Sequence, residues 1–443
     1  MSKIWREINT FFRSTDGVKS LFYERIVLSV LGRSAAKTCT RISRTELKDE
    51  IPQSLRSAER DPLSAKAVVA MINSTNSSRP THTYIPLQKN GIDAKVNYYT
   101  GGTCPTHING VKLITPHNIA RLENCYKTMK NRLSNVDIFI AASFISEKTD
   151  VVYAQFGNTG AKIMDVCKEI GLPLIVHFRG ADSSRKDILK KYEKKYVELF
   201  EYAAFVVVVS HDMADRLVSF GCPREKIIYN PSAPADAYYH VQPTFSKKLF
   251  LGAGRFAHKK APQNTIRAFT KVLEKHPDAQ LILAGGGKLL KLCKKIVKQN
   301  NIEKSVCFPG VYNSEQLKKW LSEAAAFVQH SMTAPSGDKE GTPNTISEAS
   351  LAGLPVISTF HAGIPDVIID GKTGLLVNEG DIDGMARNMI WVLDNPEEAK
   401  KMGSAGKENV WKNFNLKKCV GILDEIIYAA AAKQREKSSP VHE

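Results

Sequence analysis

Short apolar runs separated by stretches of helical pattern recur in two series along this chain, and that rhythm constrains its fold more than any other feature. From about residue 135, VDIFIAA, DVVYAQF, LPLIVHF and AAFVVVVS alternate with helical stretches at 159–170 and 183–200. Runs that are apolar throughout, rather than alternating, belong to parallel strands covered by helices on both faces. The rhythm breaks near residues 230–246, NPSAPADAYYHVQPTF, and then restarts. The second series predicts KLFLGAG, a helix from Pro262, AQLILAG, a lysine-rich helix over 288–300 and a strand over 305–308. It continues with a helix over 314–323, AAFVQHS, a helix over 343–353 and PVISTF. Asn395–Pro396–Glu397–Glu398 offers a capping Asn, a first-turn Pro and two acids to a later helix. A chain of 443 residues also exceeds one ordinary core. The expected fold class is therefore α/β, with two Rossmann-like β/α/β domains facing a central cleft. The boundaries fall at 1–240, 241–425 and a helix end and tail over 426–443. Ligands of open parallel sheets sit outside the carboxyl ends of the strands, so the loops there are where chemistry is expected.

Residues 1–60 differ from the rest. They interleave Trp5, Ile8, Phe11, Phe12, Leu21, Phe22, Ile26 and Leu28 with Lys3, Arg6, Arg13, Lys19, Arg25 and Arg33. This basic amphipathic extension suits a helix lying on an anionic membrane surface. A helix packed on the protein's own core, with its cations in water, fits the same spacing. Residues 74–90, STNSSRPTHTYIPLQKN, predict a loop. The net charge of +17 calls for an anionic partner, but the lysines are spread out and no basic-aromatic signature is present, so nucleic acid is not expected. No run of eighteen apolar residues is present, and the N-terminus lacks the h-region of a secretory signal. The eight cysteines are scattered with no C-x-x-C pair, which fits a reducing cytoplasm and neither a zinc site nor a disulfide framework. The expected place is cytoplasmic, with the extension able to make it peripheral to the membrane.

Two loops carry the chemistry. In EGTPNTISE, Glu340 and Glu348 flank a helix that starts near Pro343. Such a helix start presents free N–H groups, a cradle for a diphosphate, and the carboxylates can accept from sugar and ribose hydroxyls. Taken alone, two acids at this spacing more often belong to a solvated helix face. Upstream, Gly252–Ala253–Gly254–Arg255 follows the strand KLFL, with Lys259 and Lys260 close behind. Glycines admit close backbone approach, and Arg with Lys supplies charge-assisted bonds to phosphate oxygens. Taken alone, these cations fit a solvated loop, and the pattern is not G-x-G-x-x-G.

Together the stretches LGAGRFAHKKAP, HSMTAPSGDKEGTPNTISEASLAGLPVISTFHAGIPDVI and DGKTGLLVNEGD resemble the retaining glycosyltransferases of the GT-B fold, family 4. The likeness covers about residues 150–415 and is strongest over 248–380. The subgroup it looks most like builds bacterial exopolysaccharide and lipopolysaccharide, of the colanic-acid type. The resemblance implies an acceptor-side N-terminal domain and a C-terminal domain for a nucleotide-diphosphate-sugar. It implies a catalytic set of Arg255 and Lys260 on the diphosphate and Glu340 near the transferred sugar. Glu348 would meet the ribose, Gly254 and the segment Gly341, Thr342, Pro343, Asn344 and Thr345 would line the donor, and Gly310 and Val311 would lie near the nucleobase.

On the acceptor side, VHFRGAD matches a family stretch that usually carries two histidines. His177 matches the first, and Arg179 replaces the second, site-facing one. Gln155 stands where a histidine is common. His177 alone is more often a satisfied core histidine. Gly101 and Gly102 are the candidate for a glycine-rich loop, with an ordinary turn as the alternative. By the same resemblance the acceptor is a glycan or lipid-linked, the leaving phosphate takes the acceptor's proton, and no D-x-D-like motif calls for a metal or other cofactor. Two rival readings share the architecture: a nucleotide-sugar epimerase or phosphorylase, and a non-catalytic membrane-associated scaffold.

Overall fold

The computed structural model describes residues 66–73, 84–102, 104–113, 125 and 128–438. The basic extension of residues 1–60 lies outside them. The first domain runs β1 (Val68–Asn73), α1 (Tyr84–Gly91), β2 (Lys95–Thr100), β3 (His107–Ile108), β4 (Val111–Lys112), α2 (Asn135–Ser146) and β5 (Val151–Gln155). It continues with α3 (Gly157–Ile170), β6 (Leu174–His177), α4 (Ala181–Ser184), α5 (Lys186–Tyr202), β7 (Phe205–Val208), α6 (His211–Ser219) and β8 (Ile227–Tyr229). Its strands form an eight-stranded sheet in the order β4-β3-β2-β1-β5-β6-β7-β8, antiparallel only along the β2–β3–β4 edge.

The second domain holds β9 (Leu249–Ala253), α7 (Pro262–Lys275), β10 (Gln280–Ala284), α8 (Leu290–Gln299), β11 (Val306–Cys307), α9 (Ser314–Glu323) and β12 (Ala326–Val328). Then come α10 (Asn344–Leu351), β13 (Val356–Thr359), α11 (Ile364–Val367), β14 (Gly374–Val377), α12 (Ile382–Asp394) and α13 (Pro396–Asn413). These strands make a six-stranded parallel sheet, β11-β10-β9-β12-β13-β14. Both faces are covered, as continuous apolar strands require. Phe250 packs with Phe269 and Met385 on one side, while Leu251 packs with Phe327 and Ile346 on the other. Each such fully buried side chain contributes roughly 1.5–3 kcal/mol. This strand order reverses between β9 and β12, which opens a crevice at their carboxyl ends.

The last helix, α14 (Leu416–Ser438), returns to the first domain. Its Val420, Leu423, Ile426, Ile427, Ala430 and Ala431 join Ala67, Val69, Met71 and Ile85 in one apolar cluster. Asp424 accepts from the Asp93 amide at 2.8 Å. A boundary at 425 falls inside this helix, because one apolar stripe runs along it and needs the first sheet for cover.

Four local expectations change. VDIFIAA forms the helix α2 rather than a strand: Ser134 caps it by accepting from the Asp137 amide at 3.3 Å, and an apolar run that short fits either element. Within the stretch expected to be a loop, residues 84–91 form α1, which buries Ile85 and Gln88. The helix expected over 183–200 breaks at Arg185, whose backbone is extended, because the Lys186 amide donates to the Ser336 carbonyl of the second domain. Asn395 does not cap α13 through its side chain; its amide donates to the Trp391 carbonyl of α12 at 2.9 Å.

Candidate active site

The crevice between β9 and β12 gathers most of the expected site. Lys260, in the turn just before α7, sends its ammonium to Gln329 Oε1 at 3.0 Å, and Glu340 Oε1 lies 3.4 Å away. Gln329 sits just past β12 and is itself oriented by donating to Ser331 Oγ at 2.8 Å. Gly254 lies against the Lys260 side chain. Behind it, Gly285 comes so close that a Cβ there would stand 2.0 Å from the Gly254 carbonyl oxygen, at a backbone φ of +125°. Only glycine fits such a site. The run Gly285–Gly286–Gly287 therefore shapes the loop, with Phe256 N–H donating to the Gly286 carbonyl. Its signal, AGGGK after a strand, stood in the sequence and was missed. Arg255 is exposed at the mouth, and its guanidinium makes no hydrogen bond or ion pair among the described residues. Its charge is felt by both Lys260 and Tyr84 of the first domain.

The two glutamates occupy opposite electrostatic settings. Burial would raise the Glu340 carboxyl, but Lys260, Lys259 and His361 overcome it and hold it near 2, so it is ionised. Glu340 is buried, and its Oε1 has no hydrogen bond, only the Lys260 charge. Burial of Glu348 prevails over the opposing Lys260 charge and pushes its carboxyl up to about 8. Burial, with the Glu348 charge adding to it, raises the phenols of Tyr238 and Tyr312, which places both rings beside that carboxyl. The turn expected at the nucleobase, Gly310–Val311, reaches the same edge: the Gly310 carbonyl accepts from Gly285 at 2.7 Å, and Val311 is exposed.

Between the glutamates, α10 opens on Pro343 with no side-chain cap. The N–H groups of Gly341, Thr342, Asn344 and Thr345 donate to no group among the described residues, and Thr345 Oγ1 is a buried hydroxyl without a hydrogen bond. That is an anion cradle. Thr342 is also committed to the first domain, donating to the Val209 carbonyl at 2.7 Å and accepting from the Ser232 amide. Gly341 lies against the Arg179 carbonyl, where a Cβ would stand at 2.5 Å.

On the first domain the acceptor-side candidates have protein partners of their own. Arg179 is already engaged by four neighbours: its guanidinium donates to Gln155, Gln88 and Ser232 and lies 4.7 Å over the Tyr84 ring. It ties β5, α1 and the 230s segment together. Gln88 and Tyr84 were missed because their stretch looked like a loop. Asp182 fixes the bend by accepting from the amides of Gly157, Arg179 and Gly180. His177 is fully buried on β6 with Nδ1 2.6 Å from the Tyr153 hydroxyl, and burial followed by the Arg179 charge lowers its pKa well below the usual histidine value. Gly101 and Gly102 lie in the bend between β2 and β3, with Thr106 as the nearest neighbour of Gly101. Among the described residues no group of three His, Cys, Asp or Glu side chains could hold a metal ion, and no helix is long and apolar enough to cross a membrane.

Two Rossmann-like domains with a cation and carboxylate crevice at the switch point of the second define a glycosyltransferase of the GT-B class. The family description Glycosyl transferases group 1 matches residues 241–409 of this chain. It is 29% identical over 276 residues to the putative colanic acid biosynthesis glycosyltransferase WcaL of Escherichia coli, covering 60% of this chain and 68% of that protein. It is 27% identical over 359 residues to the amylovoran biosynthesis glycosyltransferase AmsK of Erwinia amylovora, covering 80% and 86%. Among solved structures, HepE of Anabaena in complex with UDP aligns with a TM-score of 0.67 at 14% identity, over 82% of this chain and all of that one.

Proposed function

We propose that this glycosyltransferase takes a sugar from a nucleoside-diphosphate-sugar and passes it, with retention of anomeric configuration, to a glycan or lipid-linked acceptor in cell-surface polysaccharide synthesis. The observation that carries this is the convergence of Arg255, Lys260, Glu340, Glu348 and the open amides of α10 at one crevice. The UDP complex of HepE and the colanic acid and amylovoran roles in the relatives' names support the donor class and the pathway class. The diphosphate would lie between Arg255, Lys260 and the start of α10, and the ribose would face Glu348. Cleavage of the bond from the anomeric carbon to the phosphate oxygen leaves negative charge on the diphosphate and positive character on the sugar. The cations and amides stabilise the first, already oriented, and the ionised Glu340 stabilises the second. The acceptor hydroxyl attacks from the vacated face and gives its proton to the departing phosphate.

Because fixed cations meet the phosphates, turnover is expected to survive EDTA with less than about a twofold change. The donor class is tested by thermal shift against UDP-, GDP-, ADP- and dTDP-sugars. A donor at a hundred times its Kd adds about 2.7 kcal/mol to apparent stability. If no nucleotide-sugar raises the Tm and none is hydrolysed without acceptor, the reading fails. Residues 1–60 are proposed to dock on the anionic cytoplasmic face of the membrane, which loss of co-sedimentation with anionic vesicles on their deletion would test.

A further inference from the structure

The segment 333–340, which ends on Glu340, begins and ends on the same pair, the buried His361 and the exposed Glu379. At its start, the Thr333 amide donates to Glu379 Oε2 at 2.8 Å, and the Thr333 hydroxyl donates to Oε1 at 3.3 Å. At its end, the Glu340 amide donates to His361 Nε2 at 3.1 Å. His361 Nδ1 and Glu379 Oε1, 2.6 Å apart, join the two ends. An imidazole nitrogen that accepts from an amide carries no proton, so the Nδ1 hydrogen must point at Glu379. His361 is buried, and two residues on, Gly363 packs so tightly on the Gly341 carbonyl that a Cβ there would stand 2.3 Å from its oxygen. Glu379 and Glu340 favour a positive charge on the ring and Lys339 opposes it, while burial keeps it neutral.

Between its ends, the segment lies on the first domain. The Ser336 carbonyl accepts from the Lys186 amide at 2.9 Å, and the Lys339 amide donates to Ser184 Oγ at 3.2 Å. The Lys339 ammonium pairs with Asp212 of α6 at 3.2 Å. Lys259 holds the same stretch from the second domain through Asp338 and the Lys339 carbonyl. Docking on one domain and the active-site carboxylate of the other thus share one short loop.

We propose that His361 and Glu379 are positioning residues, a clamp through which docking of the 333–340 loop on the first domain sets the place of the Glu340 carboxylate. This rests on the role of Glu340 proposed above, and the pair acts through the backbone amides of the loop. His361→Asn keeps a donor toward Glu379 but loses the acceptor for the Glu340 amide. His361→Gln can restore that acceptor, and His361→Phe loses both. Amide exchange of the full chain, followed over residues 332–342 by mass spectrometry, should quicken at least about tenfold in the Asn and Phe variants, about the loss of one hydrogen bond, and less in Gln. Glu379→Ala should loosen the Thr333 and Glu340 ends together. In turnover, kcat should fall at least about tenfold in Asn and Phe with donor KM within about threefold, and Gln should recover most of it.

Unchanged exchange in the Phe and Asn variants overturns the proposal, as does faster exchange with wild-type kcat. If the wild-type chain turns over no nucleotide-sugar, the functional reading falls by itself, and the exchange data still decide whether the pair holds the loop. A global Tm near wild type keeps both readouts interpretable, and the Gln variant provides the folded control should Phe fail to fold.

Discussion

An arginine stands at the carboxyl edge of each sheet, and the two are used in opposite ways. Arg179 of the first domain is surrounded by Gln88, Gln155, Ser232 and Tyr84, so its guanidinium holds three chain segments together. Arg255 of the second is exposed and makes no hydrogen bond among the described residues, beside a lysine, an ionised buried carboxylate and four open amides. A cation whose donors are all engaged stabilises a fold, whereas one held beside other unfilled groups can meet an incoming anion. The first edge engages its arginine in the fold, and the second leaves its donors open to the donor proposed above.

That contrast breaks if the two arginines respond alike. The largest expected effect is on transfer: Arg255→Ala should lower kcat by about two to three decades, about 3–4 kcal/mol in the barrier, with the unfolding midpoint unchanged. Lys260→Ala should lose as much turnover and also destabilise the fold, because Glu340 then keeps a buried charge without its partner. Wild-type turnover in the Arg255 variant would remove the second edge from the mechanism.

Arg179→Met should show the reverse pattern. It is expected to lower unfolding stability in urea by about 3 kcal/mol, because Gln88 and Gln155 lose a charged donor, while donor affinity stays within about threefold. A large loss of donor affinity with intact stability would make Arg179 a ligand-binding residue after all.

The smallest effect separates the two glutamates. The Glu348 pKa is raised on folding, so the stability it contributes is complete below about pH 4.5 and is lost as pH rises through about 8. Glu340 has the opposite sign: its folded pKa is lowered, and its contribution is lost only as pH falls toward about 2. Glu348→Gln should therefore leave the ligand-free protein about as stable at pH 4.5 and more stable by on the order of 2 kcal/mol at pH 9, after allowance for partial exposure. Equal stability of the two proteins at pH 9 would show that Glu348 ionises freely.

The donor side was largely legible in the sequence. Continuous apolar strands determined a parallel sheet, and the loops after KLFL and around EGTPNTISE held Arg255, Lys260, Glu340 and Glu348 because such loops follow strands at the carboxyl edge. Less legible were elements whose periodicity is ambiguous over a few residues: α2 looked like a strand, and α1 was hidden by its Ser- and Pro-rich flank. Partnership was not legible at all. That Arg179 is engaged while Arg255 is not, that Gln329, His361 and Glu379 support the site, and that α14 returns to the first sheet all depend on residues far apart in the chain. The sequence by itself determined which groups are present and which loops carry them, because local spacing decides helix, strand and turn. Tertiary structure alone decided which charges are neutralised and which stay open, because burial and hydrogen bonding are set by whatever the fold brings alongside.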